Sequence, residues 1–419
     1  MAVAIVLFAA ALAVIASERV DRTKVALLGA VLLLLTQTIE QHAAIEAIDW
    51  NTLGLLAGMM LMVKVTEPTG VYTWVAIKAG QLSRGRPLWI VVSLAGTTAV
   101  LSAFLDNLTT VLLMVPMTFL LADALDVDPI PLVVIEILVS NIGGTATLIG
   151  DPPNILIAGA TELSFMAFIV NLAPVAVLTF AVVTGGLYLA FRRRLQVAPQ
   201  ARARVMELDA RRSIEDIDEL KRTVPVLVGT ILLFFAHQLL HIEPATVAMT
   251  GATVMLFVSR QKLADSLAGI EWPTLFFFIG LFVMVGALEE TGAIDEVANG
   301  VGTVTDGSRT AELLGIAWVA AVGSALVDNI PFTAAMIPVV EQLQSGNSGD
   351  DAYWWALALG ACFGGNATII AAAANVAAAG MAARAGRPIG FLYFARIGVP
   401  VTLVSMAIAT LYITARYLL

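Results

Sequence analysis

Asp106-Asn107 and Asp328-Asn329 are the residues of this sequence best suited to chemistry. Each pair interrupts an apolar stretch, and the two pairs stand 222 residues apart (106 to 328). A carboxylate isolated in apolar surroundings is costly to ionise, so it takes up a proton or recruits a cation. Asn107, Asn329, Thr109 and Thr110 supply neutral donors and acceptors beside it. Two further polar runs follow at a nearly equal shift. The first contains Asn141, Gly143, Gly144, Thr145, Asp151 and Asn154, with Pro152 and Pro153 inside it. The second contains Gly364, Gly365, Asn366, Thr368 and Asn375, with alanines 371–374 where the first has its prolines. Prolines remove backbone donors and clash with the preceding turn, so the first run cannot be one continuous helix. A milder break is expected in the second. Broken helices expose free N–H groups at one end and free carbonyls at the other, which suits a small polar solute or a partly dehydrated cation. Asp106 and Asp328 are read as proton-coupling groups, and the named Asn, Thr, Gly and Asp residues other than Asn375 as the binding set. The plainer alternative has both aspartates only capping the helices that follow them.

The elements that position these residues come from a duplication. The shift that aligns the aspartates also carries Trp50 onto Trp272, Thr52 onto Thr274, Gly58 onto Gly280, Gly70 onto Gly292 and Pro116 onto Pro338. The chain has 419 residues, of which 13% are charged. Soluble domains carry roughly twice that share, and a bilayer interior explains the shortage. The net charge of −9 offers nothing to nucleic acid. One cysteine, Cys362, excludes an internal disulfide. Apolar runs long enough to cross a bilayer are expected near 2–16, 24–40, 51–67, 130–159 and 165–191, and again near 224–240, 244–259, 272–289, 353–380 and 389–416. The first is read as a span rather than a removable leader.

The aspartate-bearing segments 88–122 and 310–343 are read as re-entrant hairpins. Only then do the basic loops (Arg19, Arg22 and Lys24; Lys78, Arg84 and Arg86; Arg192 to Arg194; Arg260 and Lys262; Arg384 and Arg387) fall on one side, which positive-inside makes cytoplasmic. Five spans per half is an odd number, so the second copy inserts upside down. The expected fold is all-α and polytopic: an N-terminal repeat over 1–191, a charged cytoplasmic linker over 192–223, and an inverted repeat over 224–419. Both termini then lie outside, and the paired polar breaks meet between the repeats, as in secondary transporters.

Other polar residues carry less. Glu136 either relays protons or sits near the cytoplasmic interface. Lys64 and Glu67 read as an ordinary helical pair. Arg396 either neutralises a buried acid or snorkels. Cys362 reads as a buried thiol, and His42, His237 and His241 as interfacial. No phosphate loop, metal-ligand cluster or nucleophilic triad is present in the sequence, so no cofactor and no enzyme activity is expected, and energy must come from an ion gradient or a partner subunit.

The runs Asp106-Asn107-Leu108-Thr109-Thr110, Ser140 through Gly143-Gly144-Thr145 to Gly150-Asp151-Pro152-Pro153-Asn154, Val327-Asp328-Asn329-Ile330-Pro331 and Gly364-Gly365-Asn366-Ala367-Thr368 resemble those of the ion transporter superfamily. The resemblance covers essentially the whole chain. It is closest to the branch of arsenite permeases, NhaD-type sodium/proton antiporters and the melanosomal P protein. It implies a homodimer whose hairpin-bearing transport domains move like elevators. Dicarboxylate carriers of the superfamily have Ser-Asn-Thr at the hairpin tips. Asp-Asn stands here instead, which favours a cation or a neutral solute. The leading expectation is proton-coupled efflux of arsenite or antimonite across the inner (plasma) membrane. Sodium/proton antiport, organic-anion transport and a channel subunit of an ATPase-driven pump are the alternatives.

Overall fold

The structure is a computed structural model that describes residues 1–17, 19–84, 86–207, 209–346 and 350–419. Among them every regular element is helical. The first half runs α1 (Ala2–Ala16), α2 (Arg22–Leu35), α3 (Gln41–Glu46), α4 (Trp50–Thr66), α5 (Val71–Leu82), α6 (Pro87–Phe104), α7 (Asn107–Leu125), α8 (Ile130–Gly144), α9 (Pro152–Ala160) and α10 (Phe165–Phe191). After a linker helix, α11 (Pro199–Glu207), the same order returns: α12 (Ile217–Ala236), α13 (Pro244–Val258), α14 (Leu263–Ala268), α15 (Trp272–Glu290), α16 (Ala293–Thr305), α17 (Arg309–Leu326), α18 (Asn329–Gly346), α19 (Ala352–Gly364), α20 (Ala373–Arg384) and α21 (Phe391–Ile413). Among the described residues, six helices are individually long and apolar enough to cross a membrane: α6, α7, α10, α15, α17 and the helix that begins at Phe391.

Local chemistry sets the helix starts. Asp21, Asp49 and Asp216 accept the first free N–H groups of α2, α4 and α12, and Ser164 does so for α10. Helices α5 and α16 were not among the expected segments. Each begins after a glycine with positive φ, Gly70 at 78° and Gly292 at 71°, which turns the chain out of the preceding helix. The two glycines are repeat mates, and that was the available signal.

The helices sort into two packed groups. In the first, α4 lies on α13 and α2 on α15, with α1 flanking α2 and α12 flanking α13. In the second, α6 packs on α8 and α17 on α19, while α7 meets α20 and α18 meets α9. Every one of these contacts has a counterpart with the two halves exchanged. Helices α6 and α7 fold against each other about Leu105-Asp106, and α17 and α18 about Val327-Asp328.

The break after α8 spans 145–151 and the break after α19 spans 365–372. The second is as long as the first, and it keeps one turn of 3-10 helix, Ile369–Ala371, where the first keeps none. Its cause is an asparagine. Asn154 Nδ2 donates to the carbonyls of Thr145 and Thr147 at 3.1 and 2.8 Å. Its mate Asn375 donates to those of Gly365 and Thr368 at 2.7 and 2.8 Å. A side-chain amide thus satisfies the carbonyls that each break strands, with or without proline.

Candidate functional site

Four asparagines from four different elements meet at the centre of the second group. Asn141 accepts a hydrogen bond from Asn107 Nδ2 at 3.0 Å, and donates to Asn366 Oδ1 at 2.9 Å and Asn375 Oδ1 at 3.0 Å. Asn366 donates in turn to the Leu138 carbonyl at 3.2 Å. All four are buried. The network joins the tip of one hairpin to the broken helices of both halves. Under the repeat shift of 221 (154 to 375), Asn141 becomes Cys362, and the Cys362 thiol donates to Asn154 Oδ1 at 3.7 Å. The Asn141–Asn375 bond therefore has a mirror image in which a thiol replaces an amide. Cys362 is a buried thiol, as anticipated, but it is also built into the network.

Asn329, at the other tip, donates to Asp151 Oδ1 at 3.1 Å. Asp151 is fully buried, and its Oδ2 has no hydrogen-bond partner. A buried carboxylate is costly to ionise, so Asp151 suits proton uptake or cation binding. The repeat mate of Asp151 is Ala372, so this acid exists once. Thr145 and Thr368 serve the network through their carbonyls, which accept from the asparagine side chains. Gly143 and Gly364 act by size. A Cβ on either would lie 2.3 to 3.0 Å from the backbone of Ala99 or Ala321, so their lack of a side chain lets α8 and α19 approach α6 and α17 closely. Thr110 is buried without a partner for its hydroxyl.

The tip aspartates both cap the helices that follow them. Asp106 accepts from the Thr109 N–H at 2.7 Å and the Thr109 hydroxyl at 2.6 Å. Asp328 accepts from the Ile330 N–H at 2.9 Å. Beyond the cap they differ. Asp106 is half-buried and has φ 138°, a region almost confined to glycine. Asp328 is buried, and its second oxygen accepts from Arg22 Nη1 at 2.9 Å. Sequence reasoning placed Arg22 only among the loop charges.

Beside the tips lies a cavity of about 440 Å³. Asp21 and Arg22 at the start of α2, Glu271 and Thr274 at the start of α15, and Leu108 and Asp328 at the tips are part of its wall. A second cavity, about 420 Å³, has the mirrored place between α4, α9, the end of α12 and the start of α13. Thr52, Ile155, Glu243 and Pro244 line it where Thr274, Val376, Asp21 and Arg22 line the first. Among the described residues, no hairpin tip reaches this second cavity.

The two faces also differ in closure. On the second cavity's face α9 packs against α4 and α18 against α15. Among the described residues the mirrored pairs, α20 with α15 and α7 with α4, make no contact of that extent. Gly159 on α9 shows how tight the closed side is: a Cβ there would lie 1.8 Å from Asp49 Oδ2. Its mate Gly380 has only Arg384 of its own helix within reach, at 3.8 Å.

The remaining candidates resolve individually. Lys64 and Glu67 form the expected pair at 3.0 Å. Glu136 is buried rather than interfacial; one oxygen accepts from the Thr118 hydroxyl and the other has no partner. Arg396 is exposed on α21, so it neutralises no buried acid. His237 is buried, accepting from the Phe165 N–H at 3.1 Å and facing the Ile242 carbonyl at 2.9 Å.

Comparison with known proteins places this geometry among transporters. A family model described as "Citrate transporter" (CitMHS) matches residues 12–360. An uncharacterized transporter of Mycobacterium tuberculosis is 42% identical over 99% of this chain and 98% of its own length. The P protein of Homo sapiens is 31% identical over 99% of this chain, which covers 60% of that larger protein. Among solved structures, the Alcanivorax borkumensis YdaH transporter matches with a TM-score of 0.60 at 15% identity, over 89% of this chain and 86% of that one. At that identity the likeness concerns the fold alone.

Proposed function

The chain belongs to the citrate transporter (CitMHS) family within the ion transporter superfamily, and from that premise we propose that it exports arsenite or antimonite in exchange for protons at the plasma membrane. As a member it is an integral membrane secondary transporter and not an enzyme. What is proposed is the cargo, the driving ion and the motion. The observation that carries the cargo reading is the charge of the cavity at the tips. Asp21, Glu271 and Asp328 line it against a single cation, Arg22, and Arg22 is already bonded to Asp328. A free organic polyanion such as citrate would meet net repulsion there. A small neutral triol would not; the amides of Asn107, Asn141, Asn329 and Asn366, buried behind the cavity and bonded already, would exchange those bonds to receive it. Asp106 and Asp328, with Asp151 behind them, carry the exchanged proton.

Sodium/proton antiport is the second reading. Asp151, a buried carboxylate at the end of the break that precedes α9, is the kind of oxygen ligand that sodium takes. Everted vesicles given arsenite, sodium and citrate in parallel separate the possibilities. The expected result is arsenite accumulation driven by an imposed proton gradient. Sodium-evoked collapse of that gradient without arsenite flux would transfer the assignment to sodium. Citrate flux alone would overturn both.

The motion is proposed to be an elevator-like exchange between inverted repeats, with the first helix group as scaffold and the second as carrier. The swapped packing of the two halves and the one-sided closure support it. In the present arrangement the tips open toward the start of α2, the side that the basic loops mark as cytoplasmic. Assembly as a homodimer belongs to the same proposal and rests on the resemblance to the superfamily.

A further inference from the structure

Arg22 stands where helix physics would not put it. It is the first residue of α2, and a cation in the first turn opposes the helix dipole by about 0.3–1 kcal/mol. Its repeat mate is Pro244, the residue that suits a first helical position best. The duplication therefore holds the favourable solution in one copy and abandons it in the other. The arginine also has a built seat. Its guanidinium lies 5.0 Å over the buried Phe277 ring of α15 and bonds Asp328 at 2.9 Å. Glu271 and Asp21 line the same cavity, so the arginine faces three acids.

The pair also bridges the two helix groups. Arg22 belongs to the group containing α1, α2, α4 and α15, and Asp328 to the tip that α17 and α18 form in the other. It does so on the face where those groups otherwise part. Among the described residues Asp106, the mate of Asp328, has no arginine partner; its two oxygens accept from Thr109.

From this we infer that Arg22 is a positioning residue of the transport cycle: it occupies Asp328 as a stand-in for cargo, so that the second hairpin leaves α2 only after a proton or a solute has displaced the arginine. The inference rests on the reading that Asp328 is a coupling carboxylate. An exchanger must not return empty. An ionised, unloaded Asp328 is held to α2 by Arg22, whereas a loaded one is not. Removing the arginine permits the empty return. A carrier that crosses both empty and protonated conducts protons without any solute.

The test uses the full chain in proteoliposomes with an internal pH dye, an imposed pH gradient and no solute, followed by addition of arsenite and of sodium. Wild type is expected to hold the gradient. Arg22→Gln and Arg22→Met, which keep length or polarity without charge, are expected to leak protons at least about threefold faster, and Arg22→Lys to restore tightness. Both neutral variants holding the gradient as wild type does would overturn the inference. So would a lower melting temperature with no leak in both, which would make Arg22 an anchor only. Asp328→Asn separates the two layers: wild-type coupled exchange in that variant removes the coupling role of Asp328 itself, whatever Arg22 does.

Discussion

At the scale of residues, Asp106 and Asp328 hold equal places in the two copies but unequal surroundings. The backbone of Asp106 lies in a region that costs a non-glycine residue about 1–3 kcal/mol, and Asp328 shows no such strain. Replacing an N-cap aspartate by glycine costs only a few tenths of a kcal/mol. Asp106→Gly is therefore expected to be more stable than wild type by about 1 kcal/mol while losing transport. Thermal melting in detergent and vesicle flux check the two halves of that statement; a less stable protein or an active one contradicts it. Asp106→Asn keeps a capping side chain, so it should express normally, with coupled transport reduced more than about tenfold. Unchanged flux in that variant would leave capping as the sole role of the aspartate. Both tip aspartates and their asparagines were legible in the sequence because they repeat in register. Arg22 was not. A lone charge next to an apolar run carries no sign of the partner 306 residues away.

At the scale of elements, the breaks in α8–α9 and α19–α20 show what a sequence pattern can and cannot convey. Proline announces a break, and its absence from 371–374 suggested a weaker one. The force that holds the break is instead two hydrogen bonds from one buried asparagine, which no local pattern displays. Asn154→Ala and Asn375→Ala are each expected to cost about 1–3 kcal/mol by leaving carbonyls unpaired. Pro152→Ala combined with Pro153→Ala should cost less than either. Melting curves of the three variants decide it, and a proline pair that matters more than the asparagines would reverse the assignment. The glycine pair tests the motion. Cysteines at Asp49 and Gly159 should cross-link in the present state. Under the proposed motion, cysteines at Glu271 and Gly380 should cross-link only in the opposite state, since those positions mirror the first two and Gly380 stands clear of other elements here. Cross-linking of both pairs in equal yield under every gradient would exclude a reciprocal exchange.

At the scale of the whole molecule, the duplication was visible before any coordinates, because a shared shift preserves glycines, tryptophans and the polar tips together. The all-helical class and most helices followed from apolar run length. Helices α5 and α16 escaped notice because they are short and carry charge. How helices from opposite ends of the chain share one network was also hidden; Asn107, Asn141, Asn366 and Asn375 are neighbours only through the exchanged packing of the halves. The proposal of five spans and one hairpin per copy requires both chain ends to face outward. Tags at the two termini should both be reached by an impermeant reagent on intact cells, and a tag in the 192–223 linker should not. Ends on opposite faces would refute inverted insertion.

The second cavity, away from the tips, has a practical meaning. Its walls come from both helix groups, α9 on one side and α4, α12 and α13 on the other. Nothing that fills it needs to resemble the cargo. If the two groups exchange as proposed, a compound wedged there would clamp them together like a doorstop, inhibiting the protein without competing for its solute.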